Sequence, residues 1–163
     1  MNLQDFNSTR ADELRPVLAA CCDAPRWVDT ILADRPYAEL AALTKVADEA
    51  ARALTNDEVA RALAAHPRIG DRAQGESTEA AWSRKEQSGV GDDPVAREAL
   101  AAGNREYEQR FNRVFLICAT GLSATEMLTA LRHRLTNDDT TEAVVVHEEL
   151  RKIALLRLAK AIT

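Results

Sequence analysis

Three groups of residues carry reactive or recognition chemistry in this sequence. His66 stands directly before Pro67 at the end of a helical pattern. Proline stiffens the chain there, so an imidazole at 66 is held and can still face a cleft, where its near-neutral pKa suits proton transfer. The competing reading is a surface or capping histidine. Ser83, Glu86 and Gln87 follow on a short helical stretch, and the spacing of Ser83 and Glu86 puts both on one face. A hydroxyl, a carboxylate and an amide together can bind a ureido or carboxyl group through several hydrogen bonds, whereas on an exposed helix they are ordinary solvated surface. Arg157 continues the apolar stripe Val146, Leu150 and Ile153 along the last helix. An arginine on that face needs an anionic partner, an internal carboxylate or a bound substrate, because an unpaired buried charge is expensive. The alternative is a side chain that snorkels from the edge of the stripe.

Metal chemistry finds no pattern to stand on. His66, His133 and His147 form no close pair, there is no HExxH spacing, and Cys21, Cys22 and Cys118 offer no CxxC. Adjacent Cys21 and Cys22 would bridge only with severe strain, so the cysteines read as reduced core residues of a reducing compartment. The net charge of -5, with no basic cluster, argues against broad nucleic-acid binding and leaves a small molecule as the expected partner. There is no apolar leader, no run of 18 apolar residues and no peroxisomal C-terminal tripeptide, so the expected location is cytoplasmic, with no membrane partner.

The elements that must position these groups are helices. Hydrophobic residues make up 46% and charged residues 29% of 163, and apolar positions recur at three- and four-residue spacing. The pattern predicts an all-α, single-domain bundle of about seven to eight helices. Leu14, Val17, Leu18 and Cys21 mark the first, which starts just before Pro16 or kinks there. Trp27, Ile31 and Leu32 mark a short second helix, and Leu40 to Leu54 a longer third. Thr55 with Glu58 reads as a capping box for a fourth that must end near His66. From Pro67 to Ser77 the chain is a polar loop, a length that suggests function. Ser77 or Thr78 caps a helix reaching about Ser88, and Asp93-Pro94 opens one running to Phe111. Phe115-Leu116-Ile117-Cys118-Ala119 sits in an apolar run too short for its own helix, read as a buried extended segment. Ser123 with Glu126 is a second capping box, and the last helix runs from about Thr140 to Ala161.

Taken in order, Arg35-Pro36-Tyr37, Ala65-His66-Pro67-Arg68-Ile69-Gly70, Ser83-Arg84-Lys85-Glu86-Gln87, the series Asn104, Tyr107, Phe111, then Phe115 to Ala119, Arg134-Leu135 with Asn137, Glu142, and Lys152-Ile153 before Arg157-Leu158 resemble the OHCU decarboxylase family nearly end to end. OHCU is 2-oxo-4-hydroxy-4-carboxy-5-ureidoimidazoline, an intermediate that follows urate oxidation. The resemblance implies a cofactor-free decarboxylase giving (S)-allantoin, with His66, Glu86 and Arg157 catalytic. It implies that Pro67 fixes the histidine, that Ser83 and Gln87 bind the ureido or ring edge, and that backbone near Ile117, Cys118 and Ala119 lines the pocket. It also implies a homodimer. The chain departs from the family where Asn112-Arg113-Val114 replaces a stretch that often holds glycine and proline, and where Thr120 replaces a common basic residue.

Decarboxylation leaves an electron pair that most enzymes place on a cofactor. This substrate has its own sink, a ring carbon–nitrogen double bond next to the carboxylate-bearing carbon, so the implied work is positioning, polarisation and proton transfer. The competing class is a helical interaction module that has lost the chemistry, against which intact His66, Glu86 and Arg157 count. A decarboxylase or lyase acting on a related ureide is the other alternative, separable by product analysis.

Overall fold

The computed structural model describes residues 1–71 and 74–163. Among these the chain is all-helical: nine α-helices and one 3-10 turn, with no strand. The polar loop expected between Pro67 and Ser77 includes Arg72 and Ala73, which lie outside the described residues. The chain resolves into two compact units, Met1–Ala65 with Leu150–Thr163, and His66–Glu149.

The first unit contains α1 (Leu3–Ser8), α2 (Ala11–Cys21), α3 (Pro25–Ala33), α4 (Leu40–Arg52) and α5 (Asn56–Leu63). It also takes residues 150–161 of the long last helix, α9 (Asp139–Ala161). The sequence pattern did not reveal α1. It is six residues long and buries one side chain, Phe6, and its N-terminus is capped by the Asn2 side chain. Its anchor is nonlocal, a pair of hydrogen bonds in which the Asn7 amide reads the backbone of Tyr37 at 2.8 and 2.9 Å. The second helix begins at Ala11, well ahead of Pro16, and runs through that proline. The Trp27 indole donates to the Ala47 carbonyl at 2.9 Å, fastening α3 to α4, so the ring is buried with its N–H satisfied. The Thr55–Glu58 capping box is present at the start of α5, and Glu58 also takes the Arg26 guanidinium at 2.7 Å.

The second unit contains α6 (Thr78–Glu86), a 3-10 turn (Ser88–Val90), α7 (Pro94–Phe111), α8 (Ala124–Arg134) and residues 139–149 of α9. Ser77 caps α6, Asp93 with Pro94 opens α7, and Ser123 with Glu126 forms the second capping box, as the local signals predict. Asn112 ends α7 at φ 54°, ψ 38°, in the left-handed region. This resolves one departure from the family pattern: asparagine tolerates this C-cap conformation better than any residue but glycine. The segment after it is buried and non-helical, with Phe115, Leu116, Ile117 and Ala119 all buried. It packs into a core with Ile69, Val90, Leu100, Tyr107, Phe111, Met127 and Leu131. Between the 3-10 turn and the approach to α8 the backbones nearly touch, and a Cβ on Gly89 would run into the carbonyl oxygen of Leu122.

Candidate active site

The loop that begins at His66 is held unusually firmly for irregular chain. The turn after α5 ends at His66, which is half-buried, and Pro67 follows. Carbonyls in a surface loop ordinarily face water. Here three in succession are taken by side chains: Arg68 O by Gln87 Nε2 at 3.4 Å, Ile69 O by Asn104 Nδ2 at 2.7 Å, and Gly70 O by Arg97 Nη2 at 2.6 Å. Gln87 Oε1 accepts the Gly70 N–H at 2.9 Å. The Arg68 side chain pairs with Glu108 at 2.5 Å, which raises the guanidinium pKa through that hydrogen bond. Gly70 sits at φ +93°, a conformation that side chains disfavour, and this lets the loop turn away directly after the pinned stretch.

Ser83 and Glu86 lie one turn apart on α6, but Ser83 is buried, not solvated as an exposed helix would have it, and Glu86 is half-buried. Gln87 is the C-cap of that helix. Its amide oxygen and nitrogen each hold loop backbone, and each keeps capacity for one more hydrogen bond. Ile117 and Ala119 are buried while Cys118 is partly exposed; the Cys118 N–H donates to Glu149 at 2.9 Å. His66, Pro67, Ser83, Glu86, Gln87, Ile117, Cys118 and Ala119 all belong to the second unit. A cavity of about 350 Å³ opens beside the pinned loop, lined by Gly70, Asp71, Arg84, Gln87, Asp92 and Arg97 among others. Of the residues expected to form the site, Gln87 is the one that lines it, and His66, Ser83 and Glu86 are not in its wall.

Arg157 belongs to the first unit. Only 1% of it is exposed, so the side chain lies inside and does not snorkel. Its Nη1 donates to the Ala20 carbonyl at 3.0 Å. It also lowers the pKa of the Cys22 thiol, but burial outweighs this and pushes that thiol up to about 12. The cysteines are unbridged, two of them buried and Cys118 partly exposed.

Several residues that shape this region were not singled out by their chemistry in the sequence. Asn104 and Arg97 hold the histidine loop from α7. Arg134 is buried, with Nη1 on the Leu116 carbonyl at 2.6 Å, and so fixes the 114–119 segment from α8. A usable signal existed: Arg134 continues the stripe Met127 and Leu131, and Asn104 falls between Leu100 and Tyr107 on a buried face.

An all-helical scaffold that holds a histidine loop and a buried backbone segment agrees with what comparison with other proteins finds. A crystal structure of OHCU decarboxylase in the presence of (S)-allantoin superposes with a TM-score of 0.74 at 26% identity, covering 91% of this chain and 96% of that one. The 2-oxo-4-hydroxy-4-carboxy-5-ureidoimidazoline decarboxylase of Haloferax volcanii is 25% identical over 98% of this chain and 95% of its own length. A uric acid degradation bifunctional protein of Bacillus sp. (strain TB-90) is 25% identical over 97% of this chain, which spans only 32% of that protein. The model of the family described as OHCU decarboxylase matches residues 7–159. The chain belongs to the OHCU decarboxylase family.

Proposed function

We propose that this chain decarboxylates 2-oxo-4-hydroxy-4-carboxy-5-ureidoimidazoline to (S)-allantoin in urate breakdown, without a cofactor. The observation that carries this reading is the family match over residues 7–159, a span that contains His66, Glu86 and Arg157. The same span covers both compact units, which supports treating residues 1–163 as one decarboxylase domain.

The chemistry asks little of a cofactor. As the bond to the carboxylate breaks, its electron pair moves toward the adjacent ring carbon–nitrogen double bond, and the nitrogen takes up a proton. Carbon dioxide leaves behind an enol spanning the two adjacent ring carbons; its hydroxyl then gives up a proton and becomes the ring carbonyl while the ureido-bearing carbon takes one on a single face, which sets the S configuration. His66, half-buried on a pinned loop, is the proposed proton-transfer group or partner of the substrate hydroxyl. Arg157 is the proposed anchor for charge developing on ring oxygen and nitrogen. An ionised Glu86 beside the departing carboxylate disfavours it relative to the neutral product. Ser83 and the remaining hydrogen-bond capacity of Gln87 suit the ureido edge, with Pro67 orienting His66 and the backbone of Ile117, Cys118 and Ala119 lining the site. A cytoplasmic homodimer acting on a small molecule, with neither nucleic acid nor membrane as partner, completes the proposal. Among the described residues no helix is long and apolar enough to cross a membrane.

The test couples urate oxidase and hydroxyisourate hydrolase to this protein and follows the intermediate's absorbance together with the circular dichroism of the allantoin formed. Accelerated decay with an (S)-allantoin signal, lost in a folded His66→Ala variant, is the expected result. Decay no faster than the enzyme-free control, from folded wild-type protein, overturns the reading.

A further inference from the structure

The hydrogen bonds around the loop after His66 come largely from one helix face. Arg97, Asn104 and Glu108 are spaced seven and four residues apart on α7, so they project from the same side. Each holds something on the loop: Arg97 the Gly70 carbonyl, Asn104 the Ile69 carbonyl, and Glu108 the Arg68 side chain. Asn104 does this at a cost. It is 5% exposed, and its Oδ1 is buried with no hydrogen-bond partner among the described residues while Nδ2 serves Ile69. A buried orphan acceptor is destabilising, and one that persists calls for a reason at that position. Turning the amide over would not help, because the carbonyl of Ile69 needs a donor.

Two residues separate Asn104's attachment point at Ile69 from His66, and one of them is Pro67, whose φ is fixed by its ring. Few soft torsions remain between the Ile69 carbonyl and the imidazole. We infer that Asn104, seconded by Arg97, is a positioning residue for His66: by holding the Ile69 and Gly70 carbonyls it fixes the direction in which the histidine is presented. This inference rests on the catalytic role proposed for His66. The face of α7 is a clamp on the loop, and the orphaned oxygen is what Asn104 tolerates to place its donor there.

The test reads the histidine directly. The chain has three histidines, so a nitrogen–proton correlation spectrum of the imidazoles separates His66, assigned by its own variant, from His133 and His147. Asn104→Leu fills the same space and removes the donor. The expected outcome is a shifted or broadened His66 ring signal with the His133 and His147 signals unmoved, a kcat reduced about tenfold and a KM changed less than about twofold. If Asn104→Leu does not fold, seen as collapse of all three signals, Arg97→Met is measured for the same pattern, since it keeps the apolar stem of a partly exposed side chain. A folded variant whose His66 signal or whose kcat is unchanged overturns the inference. The spectrum is taken on free enzyme, so it judges the clamp even if wild-type protein fails to decarboxylate, an outcome that would instead overturn the proposed function.

Discussion

Arg134 and Glu142 meet at 2.6 Å in the interior of the second unit, with 5% and 0% of their respective surfaces exposed. The carboxylate also takes the Tyr107 hydroxyl at 2.5 Å and the Asn137 amide at 3.1 Å. The guanidinium lies over the Phe115 ring at 4.6 Å and spends its remaining nitrogen on the Leu116 carbonyl. Burial and the bond to Glu142 raise the Tyr107 phenol, so it stays a donor. Breaking such a pair strands a charge, which costs about 3–5 kcal/mol. Glu142→Ala is therefore expected to lose that much in urea unfolding, and Tyr107→Phe about 1.5–3 kcal/mol, as for a bond to a charged group. A loss below about 1 kcal/mol for Glu142→Ala contradicts the assignment.

At Glu58 the effect is visible in pH. The Arg26 hydrogen bond, then the Thr55 backbone N–H, lowers its carboxyl from 4.5 to about 2. A depressed pKa contributes stability above the unfolded value, and that contribution fades as pH falls through the folded value. The stability gap between wild type and Glu58→Gln is thus expected to be constant above pH 4.5 and to shrink toward pH 2. Chemical unfolding across that window checks it, and a gap independent of pH contradicts it.

The cysteines should differ sharply in reactivity. Cys21 and Cys22 are both buried away from reagent, and the Cys22 thiol is pushed up to about 12, so it presents no thiolate at neutral pH. Cys118 is partly exposed. Iodoacetamide at pH 8 is expected to give a single adduct at Cys118 in native protein, located by peptide mass spectrometry, and three only after denaturation. If Cys118 lines the substrate site, saturating (S)-allantoin slows that labelling; an unchanged rate removes it from the site.

Arg157 separates charge from shape. Arg157→Lys keeps the charge and loses the planar fork, and kcat/KM is expected to fall about a hundredfold. Arg157→Met keeps an apolar stem but removes the charge and the donor to the Ala20 carbonyl, so activity is expected to be lost together with some thermal stability, about 1–3 kcal/mol for a buried acceptor left unsatisfied. A Met variant that unfolds but a Lys variant that is fully active would make Arg157 structural.

The fold was legible wherever its determinants are local. The boxes at Thr55–Glu58 and Ser123–Glu126, the Asp93-Pro94 start and the break at Pro67 each act within one helical turn, and all appear where the sequence places them. What escaped depends on partners far along the chain. Short α1 stands because Asn7 reaches Tyr37, thirty residues away. The argument that marked Arg157, a charge continuing an apolar stripe, applies equally to Arg134 after Leu131 and to Glu142 ahead of Val146, and the structure buries all three. The stripe tells that a polar residue is inside. Whether it meets a partner, a backbone carbonyl or a ligand is decided by other helices.

Gly89 has a consequence for α6. The helix begins at the hydroxyl of Ser77, and the turn just past its end abuts the Leu122 carbonyl with no room for even a methyl group. Its length is therefore gauged at both ends, one by a hydrogen bond and the other by the absence of a side chain. An inserted residue, or a larger one at 89, cannot be absorbed by sliding the helix along its axis. The register of Ser83 and Glu86 is set by a gap the size of a hydrogen atom.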